Sequence, residues 1–571
     1  MRPRTHLSIL VALVTGLLAT FLIPPAGASS GDSLVTIGSP AVHFPNNRQN
    51  EPSVAIDPAH PSVVAAGAND EIDEGPCSEP PSVGVACPFT NGVGISGVYF
   101  SFNSGSSWSQ PTYTGWSARS GTPEVGPIGT LPNYFENGMA SHGDPAVAFG
   151  PVPGQNGRFS WANGSRLYYG NITFPFGNPP FKFDAAITVS RTDDVQAAAA
   201  GDQGVWKAPV VVAQKGGSSS FNDKDDLTAD TAASSPYFGN VYVCWSGFRS
   251  RGGLPEPMTV ARSTDGGSSW SVPVTLTPAR NSTGFNGRQG CQVGTDSEGN
   301  VYVVWEETIK ENSTQQSVQV VSVSHDGGQS FSRAQVIAPV TDVGALDPLS
   351  GNFTFDGVAG SRTDSYPILD IANGAPTGRD ATDELVVTWP DAANGLNHEQ
   401  ALVTTSTNHG RTWSRPANAA ESGDRPDNPA IAIAPNGTTA YLTYNGYLDP
   451  YRNGFSAPRR MQGVVRVASV SANGSLGSWQ TVHRGEIGDD RATTTSRFDG
   501  GSIYDYNAAA ATRTAGVLVW GDVRRTAICP AFFDYYRSVI AGTPEAPPNV
   551  YTDCPTRFGN TDIYAASVPA P

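Results

Sequence analysis

The sequence is short of charge: Asp, Glu, Lys and Arg make up 15% of 571 residues. Basic residues are the scarcer kind, with 35 Lys and Arg against 51 Asp and Glu, for a formal charge of −16. A surface that acidic argues against nucleic acid or an anionic membrane as partner. Cysteine is sparse too. There are six, with no Cys-x-x-Cys pair and no His/Cys cluster of metal-ligand spacing, so nothing points to zinc. Beyond residue 28 no run is apolar enough to span a bilayer. No helical pattern follows glycine pairs such as Gly266-Gly267, which excludes a phosphate-binding loop there.

Turn formers are plentiful, with 63 Gly and 46 Pro beside 38% hydrophobic residues. That mix predicts many short strands joined by tight turns. The length exceeds one ordinary compact core, so the choice lies between several domains and one large repeat fold. The N-terminus has the order of a secretory leader: Arg2 and Arg4, an apolar run from Leu7 to Ile23, then Pro24-Pro25 and the small residues Ala26-Gly27-Ala28. Residues 1–28 are therefore expected to be removed, leaving 29–571 as a secreted chain with no membrane segment. All six cysteines lie beyond that point, and an exported chain with an even number predicts disulfides. The expected pairs are Cys77 with Cys87, Cys529 with Cys554, and Cys244 with Cys291, the last joining neighbouring repeats.

One pattern recurs along the chain: a polar residue often followed by Pro, alternating small and apolar residues, a turn, then an apolar run ending in Trp or Tyr. It is found at 51–58 (EPSVAIDP), at 144–151 (DPAVAFGP), and at 227–230 with 240–245 (LTAD, NVYVCW). It returns at 291–296 with 300–305, 366–371 with 384–389, 428–437 with 440–444, and 506–512 with 516–520. The alternation marks half-buried strands, and the Gly, Asn and Asp between them mark hairpins. A second pattern falls later in most units: SFNSGSSW at 101–108, STDGGSSW at 263–270, SHDGGQSF at 324–331 and STNHGRTW at 406–413. It predicts a turn between a third and a fourth strand, with a carboxylate bonding to turn N–H groups and an aromatic plug returning to the core.

Asp265 to Trp270 and Asp326 to Phe331 resemble the Asp-box, or BNR, motif of the sialidase superfamily, from which Ser104 and His409 depart. The resemblance covers most of residues 50–482 and implies an all-β chain forming a single β-propeller of six or seven four-stranded blades. Six is the superfamily expectation, and the repeat count gives seven. The last unit ends in a third strand at 561–568, and the segment at 33–38 is expected to supply its missing outer strand. Asp-box turns belong on the rim and are expected to be structural.

In a propeller the residues just before each innermost strand converge at one mouth. Alignment of the units places Glu51, Asp144, Lys224, Gly290, Tyr366, Asn428 and Tyr506 there, with Arg48, His142, Arg288, Arg362, Arg425 and Tyr504 just upstream. Arginines hold a sugar carboxylate through paired planar hydrogen bonds. The resemblance implies an exo-sialidase arrangement: Arg48, Arg288 and Arg425 as the clamp with Arg362 as substitute, Tyr506 or Tyr504 as nucleophile, Glu51 or Glu306 as its activator, and Asp70 or Asp73 as the acid. Arg48 is followed by Gln-Asn-Glu-Pro rather than the superfamily's Ile-Pro or Leu-Pro. Three functions remain open: hydrolysis of terminal acidic sugars, non-catalytic binding of glycan or protein, and a propeller lyase or hydrolase acting on uronates, with His142 as a candidate base. The expected partner is a carbohydrate or glycoconjugate, the chain is expected to be a monomer, and no cofactor is expected. Calcium is the one ion weighed, at 222–226 and 70–74, and neither stretch has EF-hand spacing.

Overall fold

The computed structural model describes residues 31–76, 89–182, 184–212, 221–248, 256–277, 288–311, 314–346, 353–357, 362–493 and 505–571. The expected leader, its cleavage site and the Cys77–Cys87 pair lie outside the described residues. Seven antiparallel sheets follow one another along the chain, each running outward strand by strand. Their innermost strands are Gln49–Ile56, Ala146–Pro153, Phe221–Ala229, Arg288–Thr295, Ile368–Ile371, Arg425–Ile433 and Ala508–Ala511. Each packs against the next, and the seventh packs against the first, so the sheets close into a ring. The ring has seven blades, as the repeat count predicts, rather than six.

The ring closes through the two ends of the chain. Blade seven takes its third strand from Asp562–Pro569 and its outer strand from Ser33–Leu34, paired as Ser33 with Ala565 and Leu34 with Tyr564. Val35 is fully buried beside this pairing, and the Thr36 hydroxyl donates to Asp562 Oδ1 at 3.2 Å. Covering the edge of Asp562–Pro569 removes a row of unpaired backbone groups.

The aromatic ends of the second strands fill the gaps between blades. Trp245, Trp305, Trp389 and Trp520 are at most 2% exposed. Gly463 is required by one of them, because a Cβ there would meet the Trp520 ring at 2.1 Å. The turns between third and fourth strands are built by side chains. Asp265 Oδ1 accepts from the N–H groups of Ser268 and Ser269 at 3.0 and 2.9 Å, and Asp326 Oδ1 accepts from Gln329 and Ser330 at 2.9 Å. Asn103 and Asn408 do the same in their blades. Ser104 and His409 occupy the left-handed position, φ +59° and +60°, that Gly266 and Gly327 hold elsewhere.

The blades are unequal. Blade one has three strands plus an isolated bridge from Phe100 to Ser109, and the outer strands of blades three and five are two residues long. One element has no counterpart in the repeat. Between the second and third strands of blade seven, the helices Pro530–Ile540 and Val550–Asp553 form a cap closed by Cys529–Cys554. Phe532, Phe533, Tyr535 and Tyr536 fall on its inner side and pack with Phe455 and Phe558. The second disulfide, Cys244–Cys291, joins blade three to blade four. Among the described residues no helix is long and apolar enough to cross a membrane.

Candidate functional site

Blade-to-blade insertions gather on the face where the inner strands begin, and this face holds the ionisable residues. The start of each inner strand is irregular. Register slips occur between Asn50 and Ser53, Asp223 and Asp226, Gln289 and Gln292, and Asp427 and Ala430. At each slip, and at Asp144 in blade two, one residue takes a left-handed backbone: Glu51 (φ +50°), Asp144 (+47°), Lys224 (+56°), Gly290 (+65°) and Asn428 (+47°). Such a backbone is unfavourable for residues other than glycine and is held by its surroundings. It places the equivalent residues of successive blades at the axis. At Gly290 the reason for glycine is direct, since a Cβ there would meet the Tyr366 ring at 2.3 Å.

Lys224 is the hub. Its Nζ lies 2.5 Å from Asp505 Oδ2 and 3.7 Å from both Glu51 Oε1 and Asp144 Oδ2. Its backbone N–H donates to Asp144 Oδ2 at 3.0 Å. Arg362 binds Asp505 with both prongs of its guanidinium, Nε to Oδ1 at 2.8 Å and Nη2 to Oδ2, and reaches Glu51 Oε1 at 3.8 Å. Asn69 Nδ2 donates to Glu51 Oε2 at 2.6 Å. Lys224, Glu51 and Asp505 are buried, while the Arg362 side chain is 30% exposed.

Burial and charge split these groups. Burial pushes the Glu51 carboxyl well above its ordinary range, Lys224 only partly offsetting it. Burial works the same way on Asp505, but Arg362 and Lys224 outweigh it and hold that carboxyl low. Asp144 is held low against burial chiefly by Lys224. Burial pushes Asp223 up to about 7. Lys224 keeps its proton because three carboxylates surround it. One group of carboxylates thus contains members pushed up and members held down side by side.

The four candidate arginines do not form a clamp in this arrangement. Arg48 Nε meets Glu71 Oε1 at 3.4 Å, and Arg288 Nη2 meets Glu307 Oε1 at 3.2 Å. Arg425 is bidentate on Glu399, Nε to Oε2 at 2.9 Å and Nη2 to Oε1 at 2.8 Å, and also donates to the Phe355 and Asp449 carbonyls. Arg48, Arg288 and Arg425 are at most 5% exposed. Asp70 accepts from Tyr99, Gln110, Gln49 and the Ile72 N–H, and Asp73 from Arg119, Thr130 and Gly129, so both are tied down within blade one. Glu306 sits with Asp342 and Asp364 on the blade-four side, and burial pushes its carboxyl up. Tyr504 lies outside the described residues. Tyr506 is brought to the cluster. Its hydroxyl oxygen is buried without a hydrogen-bond partner, and burial, then Asp144 and Glu51, push its ionisation well above the usual range. Of the candidates, Glu51, Arg362 and Tyr506 therefore meet, joined by Asp144 and Lys224 from the aligned ring and by Asp505. The sequence signal for Lys224 was its ring position, and Asp505 had only its place beside Tyr506.

Aromatic rings flank the cluster on blades one to three. His142 stacks on Phe174 at 3.8 Å, Phe174 meets Phe221 at 6.0 Å, and Phe221 meets Phe248 at 6.1 Å. Trp116 stacks on Phe135 at 4.9 Å, and both touch Phe176. All seven are half-buried, and Phe221 and His142 stand three and two residues before Lys224 and Asp144. Among the described residues no group of three His, Cys, Asp or Glu is disposed to hold a metal ion.

No protein-family model matches the chain, and no curated protein matches it. Similar solved structures include a Hadza microbial sialidase, 14% identical over 70% of this chain with a TM-score of 0.38. This chain spans 63% of that protein's length. An α-L-arabinofuranosidase from Fusarium graminearum is 12% identical over 76% of this chain and 94% of its own, with a TM-score of 0.38. An ulvan lyase is 9% identical over 84% of this chain and 92% of its own, with a TM-score of 0.40. Likeness of this degree assigns no activity to this chain.

Proposed function

We propose that this chain is a carbohydrate-binding propeller whose ligand lies across the face carrying Arg362, the ionic cluster and the aromatic rings of blades one to three. The observation that carries this reading is the engagement of all four candidate arginines by carboxylates: Glu71, Glu307, Glu399, and Asp505 with Glu51. Arg425 and Arg362 each have the guanidinium fork filled by one carboxylate, which leaves it little to offer a sugar carboxylate, and Arg48 and Arg288 are buried against theirs. Releasing Arg425 would strand the fully buried Glu399 side chain, which is costly. The half-buried rings suit the apolar C–H faces that sugars present between their hydroxyl groups.

Titration of the purified chain with lactose and with sialyllactose, read by ligand-observed NMR, tests this reading. Comparable binding of the two, weakened in Trp116→Ala and Phe174→Ala, is the expected result. Strong preference for sialyllactose, or its cleavage, is the contrary one.

A second reading is favoured by Tyr506. Its buried hydroxyl, without a hydrogen-bond partner among the described residues, lies in the field of Asp144 and Glu51. That is the kind of neighbourhood an exo-sialidase nucleophile needs. On this reading Tyr506→Phe and Arg425→Ala each abolish release from a fluorogenic sialoside.

A further inference from the structure

The aromatic rings beside the ionic cluster fall into two groups. In one, Trp116 lies on Phe135 at 4.9 Å with the planes 9° apart, and both meet Phe176 at 5.6 Å. In the other, His142 lies on Phe174 at 3.8 Å with the planes 16° apart, and Phe174 leads on to Phe221 at 6.0 Å. Two connections join the groups. Phe174 and Phe176 stand two residues apart at the end of the strand Phe159–Pro175, about 7 Å along an extended chain. The blade-one segment 89–92 touches both groups. Phe89 meets His142 at 4.6 Å, and the Asn91 carbonyl accepts from Trp116 Nε1 at 3.1 Å. Gly92 lies so close to Phe176 that a Cβ there would meet its ring at 2.4 Å. The rings therefore form one strip, from the hairpin after blade one, across blade two, to the first residue of blade three's inner strand.

We infer that this strip binds a linear, neutral oligosaccharide lengthwise, with successive sugars on the two ring groups. The inference rests on the carbohydrate-binding reading above and deepens it by naming the class of ligand. Each near-parallel pair of rings offers one oriented apolar platform, and a single terminal sugar covers only one. A chain long enough to reach both makes its second contact within one complex, at high effective concentration, so length adds affinity. Trp116 is fixed before any ligand arrives, by its bond to Asn91 and by the ring of Phe135, which lowers the cost of ordering it. A polyuronate would need a cation for each sugar, and among the described residues no arginine or lysine stacks on these rings. Polar residues suited to hydroxyl groups follow the rings in the chain: Glu136, Asn137 and Asn178 are all exposed.

Isothermal titration of the purified chain with cellobiose, cellotetraose and cellohexaose tests the inference. The hexaose binds one per chain, about tenfold or more tighter than the biose, with the tetraose between them. Trp116→Ala and Phe174→Ala, one in each ring group, both weaken the hexaose about fivefold or more, while the biose loses less because the other platform remains. Hexagalacturonate, a chain of equal length with a carboxylate on every sugar, binds more weakly than cellohexaose. The length dependence is read on the unmodified chain, so it decides the matter if a variant does not fold. Equal affinity for biose and hexaose, a loss confined to one of the two variants, or tighter binding of hexagalacturonate overturns the inference, and lactose binding then leaves the carbohydrate reading standing. No binding of lactose, sialyllactose or any member of the series overturns both.

Discussion

Lys224 of blade three and Asp505, at the entrance to blade seven, meet across the axis with Nζ 2.5 Å from Oδ2. Blades three and seven are not neighbours in the ring, so this pair ties together elements that no sheet connects. Both side chains are buried, at 8% and 2% exposure. Removing one partner of such a pair leaves an uncompensated charge. Lys224→Ala is expected to lower stability by about 3–5 kcal/mol in urea unfolding. Asp505→Ala added to it should cost less than Asp505→Ala alone, because the Lys224 contact is already gone and only the Arg362 contact is left to lose. Additive losses would show that the pair is not coupled.

Stability should peak in mildly acidic solution. Burial raises the Asp226 and Asp370 carboxyls to about 7, while an unfolded aspartate titrates near pH 4. Between those values the folded chain holds protons that the unfolded chain has lost, so stability falls as pH rises through that window. Asp505 and Asp144 are shifted the other way. Their contribution is complete above about pH 4 and is lost as pH drops through their folded values. The urea midpoint should therefore decline from about pH 5 to about pH 8, and Asp226→Asn with Asp370→Asn should flatten that decline. A midpoint that climbs over the same range contradicts the assignment.

The propeller was legible because each blade repeats the same physical problem. Period-two strands need an apolar face, tight turns need Asn, Asp or Gly, and the gaps between blades need an aromatic ring, so Trp305, Trp389 and Trp520 recur at one position. The axial ring was legible for the same reason: alignment placed Glu51, Asp144, Lys224, Gly290 and Asn428 together, and all five share a left-handed backbone. The partners were not legible. Glu71, Glu307 and Glu399 lie outside the repeat register, on the second strand of a blade or in the loop after it, and only the folded ring brings them to Arg48, Arg288 and Arg425. The helical cap broke the period altogether, although Pro530 ahead of Phe532, Phe533, Tyr535 and Tyr536 carries a helix-start signal and an apolar face of helical spacing.

The two disulfides should behave differently. Cys244–Cys291 spans 47 residues and links two blades, so replacing both with Ala is expected to cost about 3 kcal/mol of global stability. Cys529–Cys554 closes only the cap, so its removal should expose the segment 523–561 to protease while the ring stays folded. Cleavage elsewhere in the ring at the same rate would mean that the cap and the ring unfold as one.

Closure by the N-terminal strand makes a further demand. Deleting residues 31–38 removes the partner of Asp562–Pro569 together with the buried Val35. The truncated chain should melt earlier and form oligomers through the uncovered edge, seen by light scattering. An unchanged melting point in a monodisperse sample would show that the strand is dispensable.

The proposed binding function requires that the arginines at the mouth, engaged by carboxylates, leave no clamp for an acidic sugar. Incubating the purified chain with a fluorogenic sialoside and following fluorophore release between about pH 5 and 7 tests this most directly. No release above the buffer rate is expected. Release that disappears in Tyr506→Phe and Arg425→Ala would contradict it and establish hydrolysis in its place.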